Sequence, residues 1–244
     1  MKRLIIILAI FLFLFSAITI SQASLLGNQV ELKNYESSVG VGYFQQKIKM
    51  EANKSAWSNL SFEQTQIYLQ FYEIITEGVD FYIRAGAADL KDEENDFTDD
   101  YKPFVAIGLD ADWHFKNFTL TLLCQASMFS KYTNDKNFKI SAVPTKGILQ
   151  VKNYWEAHIA AIAQTNLGGL SIYGGPLFVP FKAQSTGILK NENGSERERT
   201  DYESKQNIGA VFGVRIPLFK GWNINVEGQY TEELAGGIAL NKIF

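Results

Sequence analysis

Residues 222–244 read WNINVEGQYTEELAGGIALNKIF. In the first half Trp222, Ile224, Val226 and Tyr230 share one side of an extended chain, and Asn223, Asn225, Glu227 and Gln229 share the other. That is the period of a strand with one apolar face. In the second half Ile238, Leu240 and Phe244 lie on one face, opposed only by Gly237, Ala239 and Asn241. The two runs make a hairpin whose polar side is too small to cover a soluble core, so the question for the rest of the chain is what buries the apolar side.

Working outward from this hairpin, the same alternation recurs. Val39, Val41 and Tyr43 alternate with Gly40, Gly42 and Phe44, and Ile67, Leu69 and Phe71 with Gln66, Tyr68, Gln70 and Tyr72. Phe81, Ile83, Ala85 and Ala87 face away from Asp80, Tyr82, Arg84 and Gly86; Val105, Ile107, Leu109, Ala111 and Trp113 from Asp110, Asp112 and His114. Further runs follow at Leu120–Met128, at Trp155–Ala163, from Leu170 to Phe181 and at Ile208–Ile216. Pro176 and Pro180 make the run from Leu170 the least regular, because proline cannot donate to a ladder. The count is about ten strands, with eight as the alternative, each near the ~9–11 residues of a tilted membrane strand.

The connections alternate in length. Glu77-Gly78, Phe115 to Asn117, Asn166 to Gly169 and Leu218 to Gly221 are tight, whereas Glu51 to Ser61, Leu90 to Tyr101, Lys131 to Gly147 and Thr186 to Lys205 are long and polar. A barrel threaded into a membrane from one side has short turns on that side and longer loops on the other. Aromatics sit at the strand ends: Trp113, Phe115, Phe118, Phe219, Trp222 and Phe244 at the tight-turn end, and Phe62, Tyr101, Phe104, Phe129, Trp155 and Tyr230 at the long-loop end. Two interfacial girdles are expected from such a distribution.

With a last strand of alternating apolar residues (Ile238, Leu240) closing on Phe244, the chain resembles bacterial outer-membrane β-barrels, in particular the small barrels of the OmpA-like superfamily in its broad sense. The resemblance implies an all-β, antiparallel up-and-down transmembrane barrel at residues 24–244 and a C-terminal strand recognised by the barrel assembly machinery. It also implies outer-membrane lipid and lipopolysaccharide as surroundings, and a monomer. A soluble periplasmic barrel of lipocalin type also alternates, but with its apolar face inside; that alternative stays open on sequence.

Met1 to Ala23 fits a cleaved export signal, with Lys2 and Arg3 before the apolar Leu4 to Ile20 and small residues at Ser21-Gln22-Ala23. Its removal leaves 21 basic residues against 26 acidic ones, a net charge of −5 that argues against a nucleic-acid partner. The single cysteine, Cys124, falls on the apolar side and cannot form an intramolecular disulfide.

The polar faces carry a set of charged groups expected to line the lumen as pore or plug: Asp80, Arg84, Asp110, Asp112, His114, Glu156, His158, Arg215 and Glu227. A symmetric hairpin closing about Leu90 to Tyr101 sets Arg84 beside Asp110 and Asp80 beside His114, and Arg215 pairs with Glu227 across the Leu218–Gly221 turn. Asp110-x-Asp112-x-His114 is superficially similar to the carboxylate–histidine sets of the omptin proteases, which are ten-stranded outer-membrane barrels. Here that strand runs down from the long loop, which puts Asp112 and His114 at the wrong end for external substrates. A paired interior network is the expectation, since burial of charge demands pairing. Neither His-x-x-x-His nor a Gly-x-Ser-x-Gly, phosphate-loop or Cys-x-x-Cys pattern is present, so no metal, cofactor or catalytic residue is expected. Three functional classes follow: a structural or narrow porin-like barrel, a surface adhesin or receptor working through its long loops, and a rim enzyme.

Overall fold

The structure is a computed structural model that describes residues 36–52, 60–92, 97–140, 143–191, 194–204, 207–231 and 233–244. The expected export signal at Met1–Ala23 lies outside the described residues, as does most of the Glu51–Ser61 connection. Among the described residues thirteen strands run antiparallel: β1 (Ser37–Ala52), β2 (Leu60–Thr76), β3 (Val79–Asp92), β4 (Phe97–His114), β5 (Thr119–Phe129), β6 (Tyr132–Ile140), β7 (Val143–Leu167), β8 (Leu170–Phe178), β9 (Phe181–Asn191), β10 (Gly194–Ser204), β11 (Ile208–Pro217), β12 (Trp222–Tyr230) and β13 (Leu234–Ile243).

Ten of these close a ring in the order β1, β2, β3, β4, β5, β7, β8, β11, β12, β13 and back to β1. The seam joins first strand to last along Ser38↔Ile243 to Gln45↔Gly236. Closure leaves no free edge in this tier. Its outward side chains are apolar and exposed, among them Val41, Ile67, Leu69, Ile107, Leu122, Ile159 and Phe212, while Gln70, Arg84, Asp110, Gln125, Glu156 and Asn241 point inward and are buried. An apolar outside around a polar inside is the reverse of a lipocalin, so the soluble-barrel alternative is overturned.

Several strands are longer than a membrane requires. β2 has 17 residues and β4 has 18, against the ~9–11 of a tilted spanning strand. The surplus forms a second tier on the long-connection side. There the polarity inverts: on β1, Ile48 and Met50 are buried inside while Lys47, Lys49 and Glu51 face out. Phe44, Phe62, Phe104, Phe129, Tyr132, Val151, Tyr154, Phe181 and Tyr202 complete one apolar cluster in this interior. The environment changes from lipid to water along the same strands, and burial of apolar area then favours the opposite face.

The number of strands changes with the environment. The β12–β13 ladder ends at Tyr230↔Leu234, and above it β10 bridges directly to β1 (Met50↔Ser204 to Ala52↔Tyr202). Irregularities collect at that level: a bulge between Ala88 and Leu90 on β3, a register shift between Lys152 and Trp155 on β7 where Asn153 takes φ 51°, and interruptions between β5 and β6, β8 and β9, and β10 and β11. Bulges of this kind bend a strand and raise its twist. Pro180 stands in the β8–β9 interruption, yet its carbonyl still accepts from the Ala157 N–H at 2.9 Å.

Two expectations are corrected by this tier. Phe62, Phe104 and Phe129, placed by the sequence in the outer girdle, are inside; Tyr101, Trp155 and Tyr230 do face out at that level. The connections Lys131–Gly147 and Thr186–Lys205 contain paired hairpins, β6–β7 and β9–β10, in place of open loops.

Candidate functional site

Arg84 is the central charge of the lumen and is 1% exposed. Its strand, β3, directs every second residue inward, and the Gly86 beside it lets Tyr68 of β2 come close. The guanidinium lies 4.3 Å from the Tyr68 ring centroid and 5.5 Å from that of Tyr82, and Nη2 donates to Gln70 Oε1 at 3.2 Å. Two aromatic faces and an amide therefore solvate a cation cut off from water, an arrangement worth about 2 kcal/mol per desolvated cation–π contact.

The expected pairing partners are elsewhere. The ladder places Arg84 opposite Ala106, and Asp80 opposite Asp110 rather than His114. Lys91↔Thr98 and Asp92↔Phe97 are paired residues within the stretch that the sequence suggests as a loop, and a bulge lies between Ala88 and Leu90, so the register shifts. Arg215 faces Asn225, with Glu227 opposite Gly213, so the pair is diagonal. Arg215 donates to Ser171 Oγ at 2.9 Å, and Glu227 accepts from Tyr173 OH at 2.8 Å and from Gln229 at 2.9 Å.

Glu156 and His158 are brought together on the inner face of β7, 2% and 1% exposed. Glu156 Oε2 accepts from Gln46 Nε2 at 3.0 Å and from Tyr154 OH at 3.1 Å. The aromatic series Phe104, Phe129, Tyr154 and Phe181 covers this pair on the upper side, with successive ring centroids 5.3, 4.4 and 6.5 Å apart. Asp112 and His114 lie at the opposite, tight-turn end; Asp112 accepts from Thr121 Oγ1 at 2.5 Å, and the exposed His114 meets Thr119 at 3.2 Å. The nine charged groups are thus split over the length of the barrel. Among the described residues no group of three or more His, Cys, Asp or Glu is arranged to hold a metal ion.

Neutral groups on the polar faces make many of the interior contacts among the described residues. Gln46, Gln66 and Gln64 are linked at 2.7 Å each; Gln70, Asn241 and Asn223 form a second chain; Tyr82 OH donates to Gln125 at 2.9 Å. Tyr68, Tyr82 and Tyr173 each occupy the space left by an inward glycine on the next strand: Gly42, Gly108 and Gly213, respectively. The signal is present in the sequence as tyrosine and glycine on the polar faces.

The C-terminal strand seats Ile238 and Leu240 on the outer face, and the Phe244 N–H donates to the Ser37 carbonyl at 2.9 Å. Outside the ring, the hairpins β6–β7 and β9–β10 join through Lys146↔Lys190 to Glu156↔Phe181, so four strands form one sheet beyond the aromatic level. Where β6 passes β4, side chains do the stitching: Asp99 Oδ2 accepts from the Thr133 N–H at 2.5 Å, and Asn134 Nδ2 donates to the Thr98 carbonyl at 2.8 Å.

No family model and no curated protein sequence matches the chain. Among solved structures it is similar to the outer-membrane protease OmpT from Escherichia coli (TM-score 0.52, 8% identity, covering 88% of this chain and 96% of that one). It is also similar to the translocator domain of the autotransporter NalP from Neisseria meningitidis (TM-score 0.47, 10% identity, 88% and 90%). At these identities the likeness is one of fold. The first shows that this fold is an outer-membrane β-barrel.

Proposed function

We propose that the protein is a non-conducting barrel of the bacterial outer membrane that holds a rigid sheet platform at the cell surface, an adhesin- or receptor-like role. The observation that carries this reading is the sealed upper tier. Phe62 and Tyr132 are 0% exposed and Phe104, Phe129, Tyr154 and Phe181 are buried across the bore, directly above Glu156. A narrow barrel is filled by its own side chains, and here the filling is apolar where a solute would have to enter. That disfavours the porin-like alternative. The same seal leaves Glu156 and His158 out of reach of external substrates, and the reading assigns no catalytic residue and no cofactor.

The outward apolar tier is read as lipid-facing. Tyr101, Trp155 and Tyr230 then lie at the outer interface beside lipopolysaccharide, and Trp113, Phe115 and Phe219 at the inner one. Ile238, Leu240 and Phe244 are proposed to engage the assembly machinery, and the closed ring supports a monomer. Two measurements test the reading. Wild-type protein in planar bilayers is expected to show no conductance above leak; steady channel events overturn the seal. Ser195→Cys in a Cys124→Ala background is expected to react with a membrane-impermeant maleimide on intact cells, and labelling only after lysis reverses the orientation.

A further inference from the structure

The sheet above the membrane sorts its charges by face. Within β10, Glu196-Arg197-Glu198-Arg199 is neutral as a string, but a strand sends alternate residues to opposite sides. Leu149, which pairs with Gly187 and packs on the apolar core, marks the inner face, and Glu198 belongs to it through Glu198↔Gly187. The outer face runs through Asp135↔Ile148, Ile148↔Ile188, Arg197↔Ile188, Lys146↔Lys190, Ser195↔Lys190, Gln150↔Thr186 and Arg199↔Thr186. With Lys152 and Asp201 this stretch carries five cations against two carboxylates, and Lys182 and Glu203, lower on the same face, pair at 2.9 Å and cancel, so the face holds three net positive charges on a protein whose overall balance is −3.

Two further features mark this face. Lys146 and Lys190 stand directly opposite each other, a like-charge pair that destabilises a sheet unless a counter-charge lies between or beside them. Asp135 neutralises Lys146 alone: the hydrogen bond and the charge of the Lys146 ammonium hold the Asp135 carboxyl below the ordinary carboxylate range. In the middle of the face Thr186 is 0% exposed and its hydroxyl makes no hydrogen bond. Its cross-strand neighbours are Gln150 and Arg199, both long and flexible, so a ligand that draws them aside meets an unused donor.

We propose that this outer face, centred on Lys190, Arg197, Arg199 and Thr186, binds an anionic polysaccharide outside the cell. Arg197 and Arg199 are two residues apart, about 7 Å along the strand, an interval suited to successive charged groups of an extended sugar chain. Membrane phosphates are too low to be the occupant: Lys190 lies eight residues along β9 beyond Lys182, the partner of the interfacial Trp155, or about 25 Å of strand. That the chain is met outside rests on the proposed orientation; the binding itself does not.

Full-length protein folded in detergent micelles is titrated with low-mass dextran sulfate, with uncharged dextran as control. The expected result is saturable binding that weakens with salt, at least tenfold weaker for Lys190→Gln/Arg197→Gln/Arg199→Gln and within twofold of wild type for the inner-face Glu196→Gln/Glu198→Gln. If the triple variant does not give the heat-modifiable folded band, Arg197→Glu alone is titrated, with a threefold or greater loss expected. Absence of saturable binding, equal binding of uncharged dextran, or wild-type affinity in the outer-face variants overturns the proposal. Binding in micelles combined with labelling only after lysis leaves the site standing and overturns the surface orientation instead.

Discussion

The two tiers of this barrel share strands but obey opposite rules. On β1, Val39, Val41 and Tyr43 face out below and Gly40 and Gly42 face in; a few residues higher Lys47, Lys49 and Glu51 face out while Ile48 and Met50 are buried. On this strand the alternation never slips. Only the solvent on the outside changes, and the chain answers by changing which face is apolar. A period of two therefore reports a strand, and the composition of each face reports what lies against it.

Cavity formation in the upper tier should give the largest effect. Phe62 is 0% exposed in the plug, and Phe62→Ala is expected to cost about 3–5 kcal/mol, read as a drop in the urea midpoint of protein in lipid vesicles. An outward apolar residue at the upper boundary, such as Tyr230, should lose far less on the same truncation, because no cavity forms around it. Equal losses at the two positions would remove the distinction between the tiers.

Next in size is charge on the outer face. Leu122→Arg, in the middle of the lower tier, is expected to cost about 2–4 kcal/mol at mid-bilayer depth and to lower folded yield. Thr65→Arg, outward on β2 but at the upper tier, should stay within about 0.5 kcal/mol. A large penalty at Thr65 would extend the lipid contact upward and make the second tier a membrane structure.

The interior glycines sharpen the comparison further. A Cβ on Gly108 would collide with the Tyr82 ring, and one on Gly213 with the Tyr173 ring. Gly108→Ala and Gly213→Ala are each expected to cost about 1–3 kcal/mol through overpacking. Gly168, at the tight turn with φ 61°, has nothing within 4 Å of an added Cβ, so any loss there comes from backbone strain alone.

How much of this was legible in the sequence follows from the same contrast. The lower tier was readable because lipid demands a long, uniform apolar face, and Ile67, Leu122, Ile159 and Phe212 supply it. The upper tier was hidden because charged residues near the turns resemble loop composition: Lys91, Thr98 and Glu198 sit in ladders without apolar partners to mark the period. Lys47-Ile48-Lys49-Met50-Glu51 did carry the inverted pattern. Phe62, Phe104 and Phe129 stand at strand ends as girdle residues do, and only their phase in the alternation puts them inside. The Arg84–Asp110 pair fails for a different reason, since a shift in the β3–β4 register moves every cross-strand partner, whereas Arg215 and Glu227 remain diagonal neighbours on β11 and β12.

The smallest effect concerns that register and has an unusual sign. Asp80 and Asp110 face each other across the β3–β4 ladder, inside the lower tier, and Asp110 Oδ1 is buried without a hydrogen bond. Like charges directly opposite are destabilising by roughly 0.2–1 kcal/mol, and Asp112 follows on the same face. Asp110→Asn keeps the shape, removes a charge and adds a donor toward Asp80. If the two carboxylates merely repel, the variant should be slightly more stable than wild type, by about that amount at neutral pH, in vesicle unfolding measurements. A loss above about 1 kcal/mol would mean that the pair is held by a shared proton or a bound cation, since removing one member of such a unit strands the other. Repeating the measurement on Arg84→Gln separates the two kinds of interior. That change removes a cation held against the Tyr68 and Tyr82 rings and should destabilise, so opposite signs at Asp110 and Arg84 separate a position where a charge is repelled from one where a charge is held.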